Sequence, residues 1–192
     1  VQLLGALLDD CDELEGALWK RQDIRRANAP ESYRRVVVGV DPASTSGENA
    51  DETGILVAGG HTTMAYVLAD YSLRASPDAW ARRVVKAYHD HHANIVVAES
   101  NQGGEMVRSV IHTVDASVPI KLIHASSGKQ ARAEPVAALY EQGKVFHLRA
   151  FSDLEDQLCG WTPDSGESPD RLDALVYAIS ELMLGGQARA WV

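Results

Sequence analysis

Two short apolar runs constrain the fold of this chain more than any other feature. Arg35-Val36-Val37-Val38-Gly39-Val40-Asp41 and Asn94-Ile95-Val96-Val97-Ala98-Glu99 are rich in β-branched residues, and each ends in a carboxylate. Runs of this kind, bounded by turn signals, predict buried strands. Between them, Ser76-Pro77-Asp78 supplies a capping serine, a proline for the first helical position and an acid for the first turn. Trp80, Val84 and Tyr88 then recur every four residues, which predicts a helix over 77–91 with one apolar face. A helical crossover is the connection that parallel strands require.

The rest of the pattern fills in an α/β sheet. Thr53–Gly60 and Thr62–Tyr71 follow the first strand closely and predict an antiparallel three-strand meander. A helix is expected across 103–114, a strand at 120–124, a helix across 131–142 and a short strand at 144–148. Ser152-Asp153-Leu154-Glu155 has capping-box form for a further helix. The last helix is expected to open at Ser168-Pro169-Asp170 and to turn Leu172, Val176 and Ile179 inward. The fold class is thus an α/β mixed sheet, a meander plus parallel strands, with helices on both faces.

A length of 192 residues suits one domain. Leu3, Leu4, Leu7 and Leu8 have helical spacing, Asp9 to Glu15 is acidic, and Asn28 to Ser32 is a breaker. Residues 1–34 are therefore expected to be a helical linker or tail from an absent upstream domain, 35–186 the body and 187–192 a C-terminal tail. The opening residues carry neither an initiating Met nor a basic signal-peptide region, so the expectation is a cytoplasmic fragment of something longer. Cys11 and Cys159 show no CxxC spacing, which speaks against a disulfide scaffold or a structural zinc site. No apolar run reaches the roughly 20 residues that span a bilayer. With 18 basic and 27 acidic residues the net charge is −9, which excludes a basic DNA coat but leaves open DNA binding through a local patch or a bound metal.

The chemistry lies in the acids. If the strands ending at Asp41 and Glu99 pair in parallel, both carboxylates emerge at one sheet edge, where open α/β sheets bind ligands. Asp170 and Asp173 are three apart on the last helix and share a face. Acids gathered without compensating bases repel one another, and a hard divalent cation, Mg2+ or Mn2+, relieves that repulsion. Two such ions about 3.5–4 Å apart stabilise the attacking and leaving oxygens of a phosphodiester displacement. The predicted reaction is hydrolysis of a nucleic-acid strand. The competing account is local: Asp41 opens a turn before Pro42, and Asp170 and Asp173 favour a helix N-terminus.

Asp41 in VVVGVDP, Glu99 in VVAESNQGG and Asp173 in SPDRLDALVYAISELM resemble the acidic motifs of the large terminase subunit of tailed bacteriophages, specifically its C-terminal nuclease domain, a ribonuclease H-like fold. Gly128 to Pro135, Leu139 to Gly143 and the upstream Glu15-Gly16-Ala17-Leu18-Trp19 are similar to that family too, so the likeness spans about residues 15–185. The resemblance implies a metal-dependent endonuclease that cuts concatemeric double-stranded viral DNA before and after capsid filling, in the cytoplasm of the host. It implies Asp41, Glu99 and Asp173 as the catalytic metal-binding triad, with Asp51 and Asp170 as auxiliary ligands. It also implies an ATPase domain, a small terminase subunit and a portal as partners. The bland account of Asp51 is an exposed turn acid. No GxxxxGK[ST] occurs, since Gln130 follows Lys129 and Ile123 replaces the first glycine, so no ATPase activity is expected here.

Between residues 120 and 150 five bases face two acids, whereas between 151 and 181 one base faces eight acids. A basic segment beside an acidic site suits phosphate positioning, and Lys129 and Arg132 are the candidate DNA contacts. His89, His91 and His92 sit at a helix end, where they complement its dipole rather than form a metal site. Trp80, Trp161 and Tyr88 read as packing rather than a base-stacking platform, and without GxSxG a serine hydrolase is excluded. Two other readings stand beside the packaging nuclease: another ribonuclease H-like nuclease such as a Holliday junction resolvase, and a docking module without turnover.

Overall fold

The computed structural model describes residues 14–42, 52–100, 104–124, 128–166 and 169–185. The leucine-spaced segment before residue 14, Asp51, Ser168 and the C-terminal tail lie outside them. In chain order the elements are β1 (Arg25–Arg26), β2 (Arg35–Asp41), β3 (Gly54–His61), β4 (Met64–Asp70), α1 (Pro77–Asp90), β5 (Ile95–Glu99), α2 (Gly104–Val114), β6 (Ile120–Ile123), α3 (Lys129–Glu141), β7 (Val145–His147), α4 (Ser152–Gly160) and α5 (Asp170–Met183). They form a seven-stranded sheet in the order β1-β7-β4-β3-β2-β5-β6. β2, β3 and β4 make the antiparallel meander, and the β2–β5, β5–β6, β4–β7 and β1–β7 pairs are parallel. This is a mixed α/β sheet with helices on both faces. Among the described residues no helix is long and apolar enough to cross a membrane.

Strand alternation divides the core in two. Val37, Leu56, Val67 and Val97 pack with α3, α4 and α5, while Val36, Val38, Val40, Val96 and Ala98 pack with α1 and α2. Ser76 caps α1 by accepting from the Ala79 N–H at 3.4 Å, with Pro77 opening the helix. Trp80 and Trp161 are buried, in keeping with packing roles.

α5 is the most enclosed helix, with Leu172, Ala174, Leu175, Ala178 and Ile179 fully buried. It runs along β2 in the opposite direction. Its Ala174 lies over Gly39, and its Glu181 reaches Arg35 at 2.8 Å and Lys121 at 2.7 Å. Gly54 gives the same freedom of approach under the first turn, where the Asp170 carbonyl fills the space a Cβ would need.

Two local features depart from the sequence pattern. Ser152 does not cap α4; the preceding Phe151 stands at the cap without a side-chain bond. Glu155 of the expected capping box is instead drawn inward. It accepts from the Phe151 N–H at 3.1 Å and lies 2.9 Å from His147 Nδ1. The other departure is upstream of the body. Trp19 is 1% exposed and stands edge-on to Tyr140, and β1 adds a strand beside β7. Arg26 bonds Glu155 at 2.7 Å and Arg21 bonds Asp156 at 2.7 Å, so residues 19–26 pack as part of the fold.

Candidate active site

The register of two strands brings the first two acids together. Val40 pairs with Ala98 in the parallel β2–β5 ladder, so Asp41 and Glu99 close adjacent strands at the same edge. Alternation places both on the α5 side, because they follow Val37 and Val97 at even intervals. Asp173 enters from the first turn of α5 and is 3% exposed. The three acids lie within electrostatic reach of one another.

Their proximity is felt electrostatically. Burial pushes the Asp41 carboxyl well above the usual range, and the charges of Asp173, Asp170 and Glu99 push the same way, with Lys129 opposing. Burial also raises Asp173, against the pull of Lys129 and Arg132, and Glu99 adds to the rise. Asp170, the auxiliary candidate, therefore lies within the field of Asp41, while Asp51 lies outside the described residues.

Both candidate DNA contacts are at this site, engaged by its own groups. Lys129, the first residue of α3, sets its Nζ 2.5 Å from Asp173 Oδ2. The Arg132 guanidinium lies 6.0 Å from the centre of the Tyr177 ring. Tyr177 in turn donates its hydroxyl to Glu99 Oε2. Burial and the neighbouring charges of Asp41, Asp173 and Glu99 hold that phenol far above its ordinary range, so it remains a donor. Among the described residues no group of three His, Cys, Asp or Glu side chains is arranged to hold a metal ion. Asp173 is held by Lys129 and Glu99 by Tyr177 instead.

Three contributors were not singled out in the sequence. Tyr177 stands four residues after Asp173 on the same helix face, a spacing that does signal a shared site. Gln157 of α4 caps α5, since its Oε1 accepts from the Arg171 N–H at 3.0 Å and the Leu172 N–H at 3.3 Å. Pro169 at the head of that helix offers no side-chain cap. Arg171 bonds Glu52, reaches Asp70 at 2.8 Å and Asp153 at 3.4 Å, and so ties the start of α5 to β4 and α4. No local signal marks Gln157 or Arg171, because their partners are distant in sequence.

The histidines at the end of α1 serve structure. His89 pairs with Asp115 at 2.7 Å, and His91 lies 3.2 Å from the Tyr71 hydroxyl.

Terminase domains recur among the known proteins that this chain is similar to. The family described as "Terminase RNaseH-like domain" matches residues 38–182. No curated protein sequence matches the chain. The large terminase nuclease from thermophilic phage G20c superposes with a TM-score of 0.67 at 15% identity, over 87% of this chain and 99% of that one. Its cobalt-bound form gives 0.67 at 14% identity, over 88% and 98%. The human cytomegalovirus terminase nuclease domain, manganese-soaked and inhibitor-bound, gives 0.57 at 16% identity, over 86% and 95%. The large terminase of a second thermophilic bacteriophage, in complex with ADP, gives 0.64 at 15% identity, over 86% of this chain and 44% of that one.

Proposed function

The chain belongs to the terminase RNaseH-like domain family, and from that premise we propose that it is the metal-dependent endonuclease part of a phage terminase, cutting concatemeric double-stranded DNA when packaging begins and ends. This reading is supported by Asp41 and Glu99 closing adjacent parallel strands, with Asp173 of α5 within electrostatic reach of both. Carboxylates within one another's field repel, and a divalent cation bound among them would relieve that repulsion.

The donor set fits a hard divalent ion, because it consists of carboxylate oxygens without thiolate or imidazole. Asp41, Glu99 and Asp173 would hold Mg2+ or Mn2+, two ions in all, with Asp51 and Asp170 as auxiliary ligands. The cobalt-bound and manganese-soaked relatives support a divalent ion in this role. When bound, such ions supply charge stabilisation to the entering and leaving oxygens of phosphodiester hydrolysis.

The protein's own side chains do the rest. Tyr177 orients Glu99 through its hydroxyl, and Gln157 and Arg171 fix the start of the helix that carries Asp173. Lys129 and Arg132 supply positive charge for backbone phosphates, which orients a duplex without reading its sequence. A net charge of −9 makes that contact weak and salt-sensitive, so an ATPase domain, a small terminase subunit and a portal would deliver the DNA in the assembled motor.

The test is incubation of supercoiled plasmid with the purified chain and Mn2+. Nicked and linear products are expected from the parent and not from Asp41→Asn or Asp173→Asn. Undiminished cutting by both variants would refute the triad, and cleavage confined to four-way junctions would move the assignment to a resolvase.

A further inference from the structure

The Lys129 ammonium stands where the proposed reaction needs a different cation. Its Nζ is 2.5 Å from Asp173 Oδ2, and the two side chains are only 20% and 4% exposed. That oxygen belongs to one of the three proposed metal ligands. Lys129 also acts on Asp41, whose carboxyl it pulls against the push of the neighbouring acids. Tyr177 holds Glu99 in a similar way, with a neutral donor.

Resting on the nuclease reading, we propose that Lys129 is a built-in competitor for the metal ion: its ammonium neutralises Asp173 in the ion-free protein and leaves that carboxylate when a divalent cation is taken up. The carboxylate has lone pairs enough for both cations, but a unit charge beside a double charge is repelled at short range, and that repulsion sets the competition. Lysine suits this exchange, because it is a point charge on a flexible four-carbon stem and makes no bidentate clamp. Lys129 opens α3, so its stem moves without disturbing a helix interior.

A phosphate is the natural acceptor for the displaced ammonium. Ion uptake then releases Lys129 to the DNA backbone, and a phosphate that draws Lys129 away from Asp173 raises the affinity for the ion by the same factor. The acid edge thereby favours loading in the presence of its substrate.

The experiment is calorimetric titration of Mn2+ alone, without DNA, into the parent chain and into Lys129→Met, Lys129→Gln, Lys129→Arg and Asp173→Asn, with urea unfolding to confirm that each is folded. Removing the ammonium should tighten Mn2+ binding by roughly tenfold or more, since a partly buried ion pair no longer has to be broken. Lys129→Arg should show no such gain. Equal or weaker binding by both Lys129→Met and Lys129→Gln overturns the proposal, as does failure of the parent and both variants to bind Mn2+. The nuclease reading fails separately, by undiminished Mn2+ binding in Asp173→Asn, whatever the lysine variants do.

Discussion

Gly39 lies so close beneath Ala174 that a Cβ on the glycine would stand 2.0 Å from the Ala174 carbonyl oxygen. The contact sets how near α5 comes to β2, and therefore how near Asp173 comes to Asp41. A methyl group at position 39 must lift the helix or bend the strand. Gly39→Ala is expected to cost about 3 kcal/mol or more, the upper range for overpacking. Urea unfolding would measure the loss. Plasmid cleavage by the surviving folded fraction should fall as well, because the two acids separate.

Gln157 substitutes for a cap that the sequence of α5 does not provide. Replacing it with Leu keeps most of the bulk and leaves the Arg171 and Leu172 N–H groups without their acceptor. A loss of about 1 kcal/mol is expected, as for other helix caps. The denaturant midpoint should drop while the denaturant slope stays the same. Cleavage should fall further than stability does, since the affected turn carries Asp173.

The cluster beneath β1 makes stability depend on acid. Burial alone would raise the Glu155 carboxyl, but the bonds from His147, the Phe151 N–H and Arg26 outweigh it and bring the pKa down to about 2. A carboxyl lowered on folding stabilises fully above its ordinary value near 4.5, and the contribution drains away as pH falls from there toward about 2. Burial lowers His147, which favours the neutral ring with Nδ1–H toward Glu155 and Nε2 accepting from Tyr140. Its lowered value erodes stability as pH falls below 6.5. Unfolding midpoints measured downward from neutral pH should therefore decline in two stages. Glu155→Gln should be less stable at neutral pH and should flatten the lower stage.

Asp41 works in the opposite direction. Its carboxyl is raised by burial and by three neighbouring acids, so in the ion-free protein its charge weakens the fold near neutral pH. Asp41→Asn should stabilise the ion-free chain by about 0.5–2 kcal/mol, in the range of other relieved functional sites. Thermal unfolding in a chelator would register the gain. An unchanged or lower midpoint would mean that the acids do not strain one another.

The sheet was legible because period and punctuation agreed. The runs ending at Asp41 and Glu99, the meander and the helical crossover each carried local signals, and the structure follows them to within a residue or two. That Asp41 and Glu99 share an edge followed from parallel pairing. Other features depended on contacts made only after folding. Glu155 looked like the capping partner of Ser152, but it bonds the N–H of Phe151, one residue earlier, while His147 and Arg26, brought over by β7 and β1, hold it in the interior. Lys129 was legible as a base beside acids, yet its bond to Asp173 joins residues 44 positions apart in separate helices. Gly39 did carry an unread signal, since glycine within a buried strand marks close approach of another backbone.

The placement of Trp19 and β1 has a mechanical side. β1 runs parallel to β7, and the Ala27 N–H extends the pairing by bonding the His147 carbonyl at 3.2 Å. A pull along the chain from before residue 19 would first have to extract an indole from its socket against Tyr140. It would then load the bonds that pair β1 with β7. The stretch that enters the nuclease fold is thus anchored like a rivet, and tension on it would be resisted at the sheet border before reaching the carboxylates.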